Sequence, residues 1–367
     1  VQKQTLFLVS SLLLIGLTGT RVPHAQSAPS LLLSQRINQQ LNELLRQGRE
    51  LADSGDYARA VATYQQAASL DGENPKIFSG IGYLQARMGN YREAARAYER
   101  AIALEPNNAE FYYALGYSLA NAGENTAAAA AYRRAIGLDN DNLNTYWGLA
   151  VVLLRQEDYE GAIDAYRQIL NLDPDSTEAY ALMGAAYMQQ ERFEQAARTF
   201  QEAAKLSPRE PRIQLNLGAA WLRQGNLSAG LEAFERAAQL APRNAQVHLQ
   251  IGQILQAQEN NTRALEAYRR AISLDSDLVA AQAAIGEILL TQEDYLPAIV
   301  AYRRLVELIP EDPAAYYNLG LALKGRDRIG EAIEVVEKAR DLYRNQESEE
   351  GLEQAESLLK ELQDSRR

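Results

Sequence analysis

Cysteine is absent from the 367-residue chain, which excludes a disulfide framework, a thiolate nucleophile and a lipid-bearing Cys after a leader. Histidine is scarce: there are two, His24 in a segment read below as a leader and His248 further on. Metal ligation and base catalysis at neutral pH therefore have little to draw on, and His248 reads as an interface residue, not a ligand. Positive charge is short as well. With 37 Lys and Arg against 48 Asp and Glu, the formal charge is −11, whereas a phosphate backbone calls for clustered cations. The balance argues against a nucleic-acid partner. Strand-like blocks rich in Val, Ile and Thr are missing too, while Ala, Leu, Gln, Glu and Arg abound, a composition that favours helix. Zinc-binding HExxH, phosphate-cradling Gly loops and nucleophile elbows do not occur. No catalytic residue, cofactor or metal is expected.

The N-terminal segment opens with Lys3, runs apolar from Leu6 to Leu17 and reaches the small, polar stretch HAQSA. That layout is a secretory leader, 1–27. The apolar run falls short of the ~20 residues that span a bilayer, so cleavage after Ala25 or Ser27 is favoured over an anchor at residues 5–19. Removing Lys3 and Arg21 makes the exported chain more acidic still. The expected compartment is the periplasm, or a thylakoid lumen in a photosynthetic bacterium. Residues 28–40 then form a linker or helical extension.

What the chain has in quantity is repetition. GDYARAVATYQQAASLD at position 55 returns as GNYREAARAYERAIALE at 89, and the same step taken twice more and then four times more reaches EDYEGAIDAYRQILNLD at 157 and EDYLPAIVAYRRLVELI at 293. The step defines nine units without insertion: 41–74, 75–108, 109–142, 143–176, 177–210, 211–244, 245–278, 279–312 and 313–346. Each carries a small residue, then four positions on a ring, then three further on another small or apolar residue, as in Ala94, Tyr98 and Ala101. Val336 replaces the ring in the last unit. Such spacing puts all three on one helical face. Twelve positions before the first small residue stands Gly in eight of the nine units (Gly82 and Gly184, for instance), with Ala150 the exception. Glycine inside a helix costs about 1 kcal/mol against Ala. Its recurrence predicts close approach of a second, antiparallel helix whose ring would collide with any side chain there. Pro106, Pro174, Pro208, Pro242 and Pro310 close units, because Pro ends a helix.

The stretch YYALGYSLANAGENTAAAAAYRRAIGLDN, with Tyr112, Leu115, Gly116, Leu119, Ala128 and Tyr132, resembles the tetratricopeptide repeat family, whose period of roughly 34 residues it shares. Nine such matches in phase cover Leu41 to Gln346. The resemblance implies an all-α, right-handed superhelical solenoid of antiparallel helix pairs, first helices lining a concave groove and second helices outside. Gln214, His248 and Gln282 replace the first aromatic in three units, which predicts looser packing there. Residues 347–367 keep helical spacing out of frame and read as a C-terminal capping helix over an otherwise exposed apolar stripe, its end at Arg366 and Arg367 suiting a helix C-terminus.

Family geometry places positions 2, 5, 9, 12 and 13 of each unit on the groove wall. That selects Tyr83, Arg87, Tyr113, Tyr117, Trp147, Val151, Leu154, Arg155, Arg212, Arg223 and Tyr317 as partner-binding residues, with Lys76, Met188, Leu215, Leu222, Leu249 and Leu290 beside them. Rigid aromatics with Arg dominate interface energetics. The stretch Tyr113 to Leu154 is expected to anchor an extended or helical segment of a partner protein, with Arg87, Arg155 and Arg223 selecting acidic groups. The alternative for any one ring is packing against the neighbouring unit. The family's clamp for heat-shock chaperone C-termini needs Lys and Asn where this chain has Leu45, Ser79, Tyr83 and Tyr113, which argues against that role. Carboxylate pairs such as Glu157–Asp158 and Glu293–Asp294 recur at the helix junction and read as solvated turns. The expected function is an exported, non-catalytic interaction scaffold. A self-assembling oligomerisation protein is the alternative, and a substrate-binding subunit of an enzyme complex a further one.

Overall fold

The computed structural model describes residues 28–365, which contain helices and short turns and no strand. The leader, His24 and the Arg366–Arg367 end lie outside the described residues. The chain divides at Gly123/Glu124 into two compact bodies. The first holds α1 (Ala28–Asp53), α2 (Tyr57–Leu70), α3 (Pro75–Arg87), α4 (Tyr91–Leu104) and α5 (Ala109–Asn121). In the second, α6 (Asn125–Leu138) is followed by the pairs α7 (Leu143–Arg155) with α8 (Tyr159–Leu172), α9 (Thr177–Gln189) with α10 (Phe193–Leu206), and α11 (Pro211–Arg223) with α12 (Leu227–Leu240). The pairs continue as α13 (Ala245–Ala257) with α14 (Asn261–Leu274), α15 (Val279–Thr291) with α16 (Tyr295–Leu308), and α17 (Pro313–Gly325) with α18 (Ile329–Asn345), and α19 (Glu349–Ser365) ends the body. Within each body every helix packs on the one before it, the all-α, tandem-pair architecture of a solenoid.

Local chemistry sets the helix ends. Six of the eight first helices from α3 on start behind an Asn, Ser or Asp whose side chain accepts a backbone N–H of the opening turn, such as Asn74 from Lys76, Asn142 from Thr145, Ser176 from Ala179 and Asp312 from Ala314, whereas Glu210 and Leu278 precede α11 and α15 without a side-chain cap. Each such cap is worth about 1 kcal/mol. Within a pair the connection is one tight turn with a residue in the left-handed region. Gly55, Gly89, Gly123 and Gly225 fill it in four units, whereas Glu157, Glu191, Glu259, Glu293 and Asp327 adopt φ of 57–59° in the others. Carboxylates that could pass for an acid–base pair thus have structural roles: Glu157 bends the chain, and Asp158 accepts the Gly161 N–H to cap α8.

Rings seated on glycines hold the pairs together. A Cβ on Gly82 would lie 2.8 Å from the Tyr98 ring, on Gly184 2.7 Å from Phe200, on Gly218 2.7 Å from Phe234 and on Gly286 2.9 Å from Tyr302. Gly320 meets Val336 in the same way. Burying a large side chain contributes about 1.5–3 kcal/mol, more than the ~1 kcal/mol that a helical glycine costs. Where Ala150 breaks the pattern, Trp147 meets the ring of its own pair, Tyr166, edge-on at 5.8 Å. Close by on α7, Gly148 makes room for Tyr132 of α6, a clearance the repeat pattern does not announce.

Two expectations need correction. Gln214 and Gln282 do not loosen their units: both are buried, and the Gln282 amide donates to the Ala301 carbonyl at 3.1 Å. Leu249 is only 4% exposed and belongs to the core. The expected C-terminal capping helix is present as α19. It joins α18 through the turn normally used inside a pair, with Glu347 at φ 55° and Ser348 N–H bonded to the Tyr343 carbonyl at 3.0 Å. Gly351 then faces the Tyr343 ring, and Ala355, Leu358, Leu359 and Leu362 are buried. At the other end α1 is one 26-residue helix, twice the length of the 13-residue α3, and exposes Leu33 and Ile37.

Candidate partner-binding face

In the first body the face rests on α3 and α5, neighbours in the stack. Tyr83 and Arg87 stand four positions apart on α3, hence on one side of it. Tyr57, the first residue of α2, comes up against the end of that helix. The Arg87 guanidinium stacks on both rings, its Cζ 5.3 Å from the Tyr57 centroid and 5.9 Å from that of Tyr83. It donates from Nη2 to the Tyr57 hydroxyl at 2.8 Å and from Nη1 to the Tyr83 hydroxyl at 3.3 Å. On α5, Tyr113 and Tyr117 repeat the spacing. Tyr117 meets Tyr91, the first residue of α4, edge-on at 6.4 Å, and burial pushes the phenols of both Tyr113 and Tyr117 up from their ordinary value.

The same contact recurs elsewhere, with the residue that opens a second helix touching the far end of the next first helix. In the second body Phe193 opens α10 and lies under Arg223 at the end of α11, 5.0 Å from ring centroid to Cζ. Likewise a Cβ on Gly325 would lie within 2.5 Å of the Tyr295 ring. Tyr57, Tyr91 and Phe193 therefore touch candidate residues of the face, and the wall positions omit them. Their signal is an aromatic opening the second helix in five of nine units.

The remaining wall residues form separate stations. Trp147, Val151, Leu154 and Arg155 make one stripe on α7, with Val151 41% exposed. Arg212 and Arg223 are both exposed but sit near opposite ends of α11, about 16 Å apart along its axis, too far to grip one group. Arg223 also approaches Glu191 at 3.9 Å. Tyr317 is not open: with Leu321 and Lys324 it lines a shallow crevice of about 350 Å³ against α19, where Lys324 Nζ pairs with Glu361 at 2.5 Å. Met188, Leu215, Leu222 and Leu290 are half-buried, and Lys76 is exposed. His248 is half-buried with Nε2 3.3 Å from the Pro242 carbonyl. The structure thus sets Tyr83 and Arg87 on α3 and Tyr113 and Tyr117 on the neighbouring α5, groups Trp147 to Arg155 on α7, and leaves Arg212, Arg223 and Tyr317 apart. Among the described residues no group of His, Asp and Glu is arranged to hold a metal ion, and no helix is long and apolar enough to cross a membrane.

Comparison with known proteins follows the same lines. A family model described as the cilia and flagella-associated protein 70 C-terminal domain, a tetratricopeptide array, matches residues 36–285. Models of the TPR repeat and the tetratricopeptide repeat match 286–325 and 313–346. A TPR repeat-containing protein of Picosynechococcus sp. is 50% identical over 50 residues, a match spanning 14% of this chain and only 13% of that protein. Among solved structures, YrrB, described as a TPR protein with an unusual peptide-binding site, is 24% identical over 52% of this chain and 98% of its own, with a TM-score of 0.45. A tetratricopeptide repeat protein from Parabacteroides merdae is 17% identical over 68% of this chain and 99% of its own, at 0.45. MamA from Desulfovibrio magneticus is 26% identical over 46% and 95%, at 0.42. At such scores no partner carries over from these structures.

Proposed function

The chain belongs to the tetratricopeptide repeat family, and on that premise we propose that it is a non-catalytic protein-binding scaffold that receives an extended or helical segment of a partner on the exposed faces of its first helices. The observation that carries this reading is the face of α3 and α5: four half-buried or ring-stacked side chains, Tyr83, Arg87, Tyr113 and Tyr117, of which Arg87 packs on Tyr57 and Tyr83, and Tyr117 on Tyr91. Rings already immobilised lose little side-chain entropy on binding, and preorganised aromatic and Arg groups are what interfaces use as anchors. The stripe from Trp147 to Arg155 offers a second such station on α7.

The proposal includes export, supported by the apolar run Leu6–Leu17 behind Lys3. Purified chain would be used to retain proteins from the exported fraction of the source cells, with Tyr113→Ala/Tyr117→Ala and Trp147→Ala/Leu154→Ala variants alongside. Retention should fall in at least one variant whose helical circular dichroism is unchanged. Undiminished retention by both variants refutes the first-helix reading, and a chain found wholly in the cytoplasm refutes export. Self-association is the second reading, favoured by Leu33, 61% exposed, and Ile37 on the unpaired part of α1. Light scattering that gives a monomer with and without substitution of this pair would dismiss it.

A further inference from the structure

The ring-stacked arginines of this chain differ in what they already hold. Arg192 lies over Tyr187 at 4.7 Å and pairs with Glu160 at 2.7 Å. Arg223 lies over Phe193 with Glu191 at 3.9 Å. Arg100, over Phe78, turns to the Gly72 carbonyl. Arg87 is exposed and has two phenols and, among the described residues, no carboxylate. In a chain with 48 acidic side chains to 37 basic ones, a fixed cation without an acid is conspicuous. A cation at the end of α3 suits the helix dipole, but the dipole asks nothing of Tyr57 or Tyr83.

The chemistry of the cradle is one-sided. A phenol that accepts from guanidinium through a lone pair still has its own O–H to give. Tyr57 and Tyr83 therefore turn two hydroxyl protons to the surroundings beside a guanidinium with further N–H donors in hand. Donors converge and, among the described residues, no carboxylate or carbonyl is paired with them, so the complementary group is an anion. The two rings also fix a side chain that otherwise carries about 2 kcal/mol of rotamer entropy.

We propose that the Tyr57–Arg87–Tyr83 cradle is the acid-reading subsite of the first body, taking the carboxylate of an Asp or Glu in a partner segment whose neighbouring apolar residue rests on Tyr113 and Tyr117. This rests on the scaffold reading above and sharpens it: of the three arginines expected to select acids, Arg87 does so, and Arg223 is already engaged by Glu191.

A random peptide library displayed on phage is selected against the full chain and against Arg87→Gln, Arg100→Gln and Tyr57→Phe variants, each first checked for unchanged helicity. The wild-type chain should enrich peptides with Asp or Glu at a fixed distance from an aromatic or large apolar residue. A synthetic peptide of the enriched sequence should lose about tenfold or more in affinity when its acid becomes the amide. Against Arg87→Gln the acid and amide peptides should bind alike, and added salt should matter less; Arg100→Gln, which removes a ring-stacked arginine turned to the Gly72 carbonyl, should behave as wild type. Enriched peptides without an acid, or an acid preference that survives Arg87→Gln or is lost in Arg100→Gln, overturn the assignment and leave the scaffold reading standing. Selection of phosphopeptides in preference to their Asp or Glu counterparts likewise overturns it. If no peptide is enriched on any variant, both readings fall together.

Discussion

Replacing Tyr166 with Phe should make the second body more stable, although it deletes a polar group and adds no contact. The ring is fully buried, and its hydroxyl has no hydrogen-bond partner. Burial holds that phenol far above its ordinary pKa, so it is a neutral, unsatisfied O–H at any pH of interest. Such a group costs about 1–3 kcal/mol. Removing the oxygen leaves a void of roughly 15 Å³, and at ~24 cal/mol per Å³ this takes back less than about 0.5 kcal/mol. The net gain is about 1–2 kcal/mol, which for a unit of this size raises the melting midpoint by roughly 3–6 °C. Phe200 and Phe234 show that a Phe fits the equivalent seat. The internal control is Tyr268→Phe, where the hydroxyl donates to Gln256 Oε1 at 2.7 Å, so the same chemical change should cost about 0.5–1.5 kcal/mol. Thermal and urea unfolding followed by circular dichroism compare the two. Shifts of the same sign, or a Tyr166→Phe variant no more stable than the parent, refute the reasoning.

Other perturbations test other contacts. Gly82→Ala pushes a methyl to within 2.8 Å of the Tyr98 ring and should cost about 1–3 kcal/mol by overpacking, measured as a lower urea midpoint; a neutral result means the ring is not seated as described. Glu293→Gly, at φ 58°, should stabilise by up to about 1 kcal/mol, while Gly89→Ala, with open space around the new Cβ, should lose about as much from backbone conformation alone; no change in either would remove the left-handed turn from the account. Burial, with Glu287 nearby, pushes Tyr268 and Tyr302 up to about 12, above an unfolded value of about 10. The unfolded chain then gives up protons first, so stability is intact below pH ~10 and falls as pH rises from there to ~12. A urea midpoint that stays flat across that window contradicts it.

The parts of the fold that the sequence announces are those repeated at fixed spacing within one unit. The pair Gly82 and Tyr98 recurs with the same separation as Gly184 and Phe200 and again as Gly286 and Tyr302, and a contact that recurs in phase can be inferred without coordinates. Contacts that join two units are harder to read. Arg87 meets Tyr57 across 30 residues, and nothing in either residue's own unit points to the other. The buried Gln282 resembles a defect until its amide is seen on the Ala301 carbonyl. The acids of the tight turns are legible as loop residues, but their left-handed backbone is not, because Gly and Glu serve the same position. Wall positions taken from family geometry name residues one by one and say nothing of occupancy, so Tyr317, faced by α19, and Leu249, sunk in the core, look equivalent to Tyr113.

The turn between α18 and α19 gives the array a head and a tail. A surface that repeats unit after unit invites another molecule to continue the series, and a head-to-tail contact that does not close grows into a filament. By entering α19 through the wrong kind of bend and facing Gly351 with Tyr343, the chain spends its trailing edge on itself. A second molecule meeting that edge finds Glu353, Glu356 and Lys360, exposed on α19, in place of a bare apolar stripe.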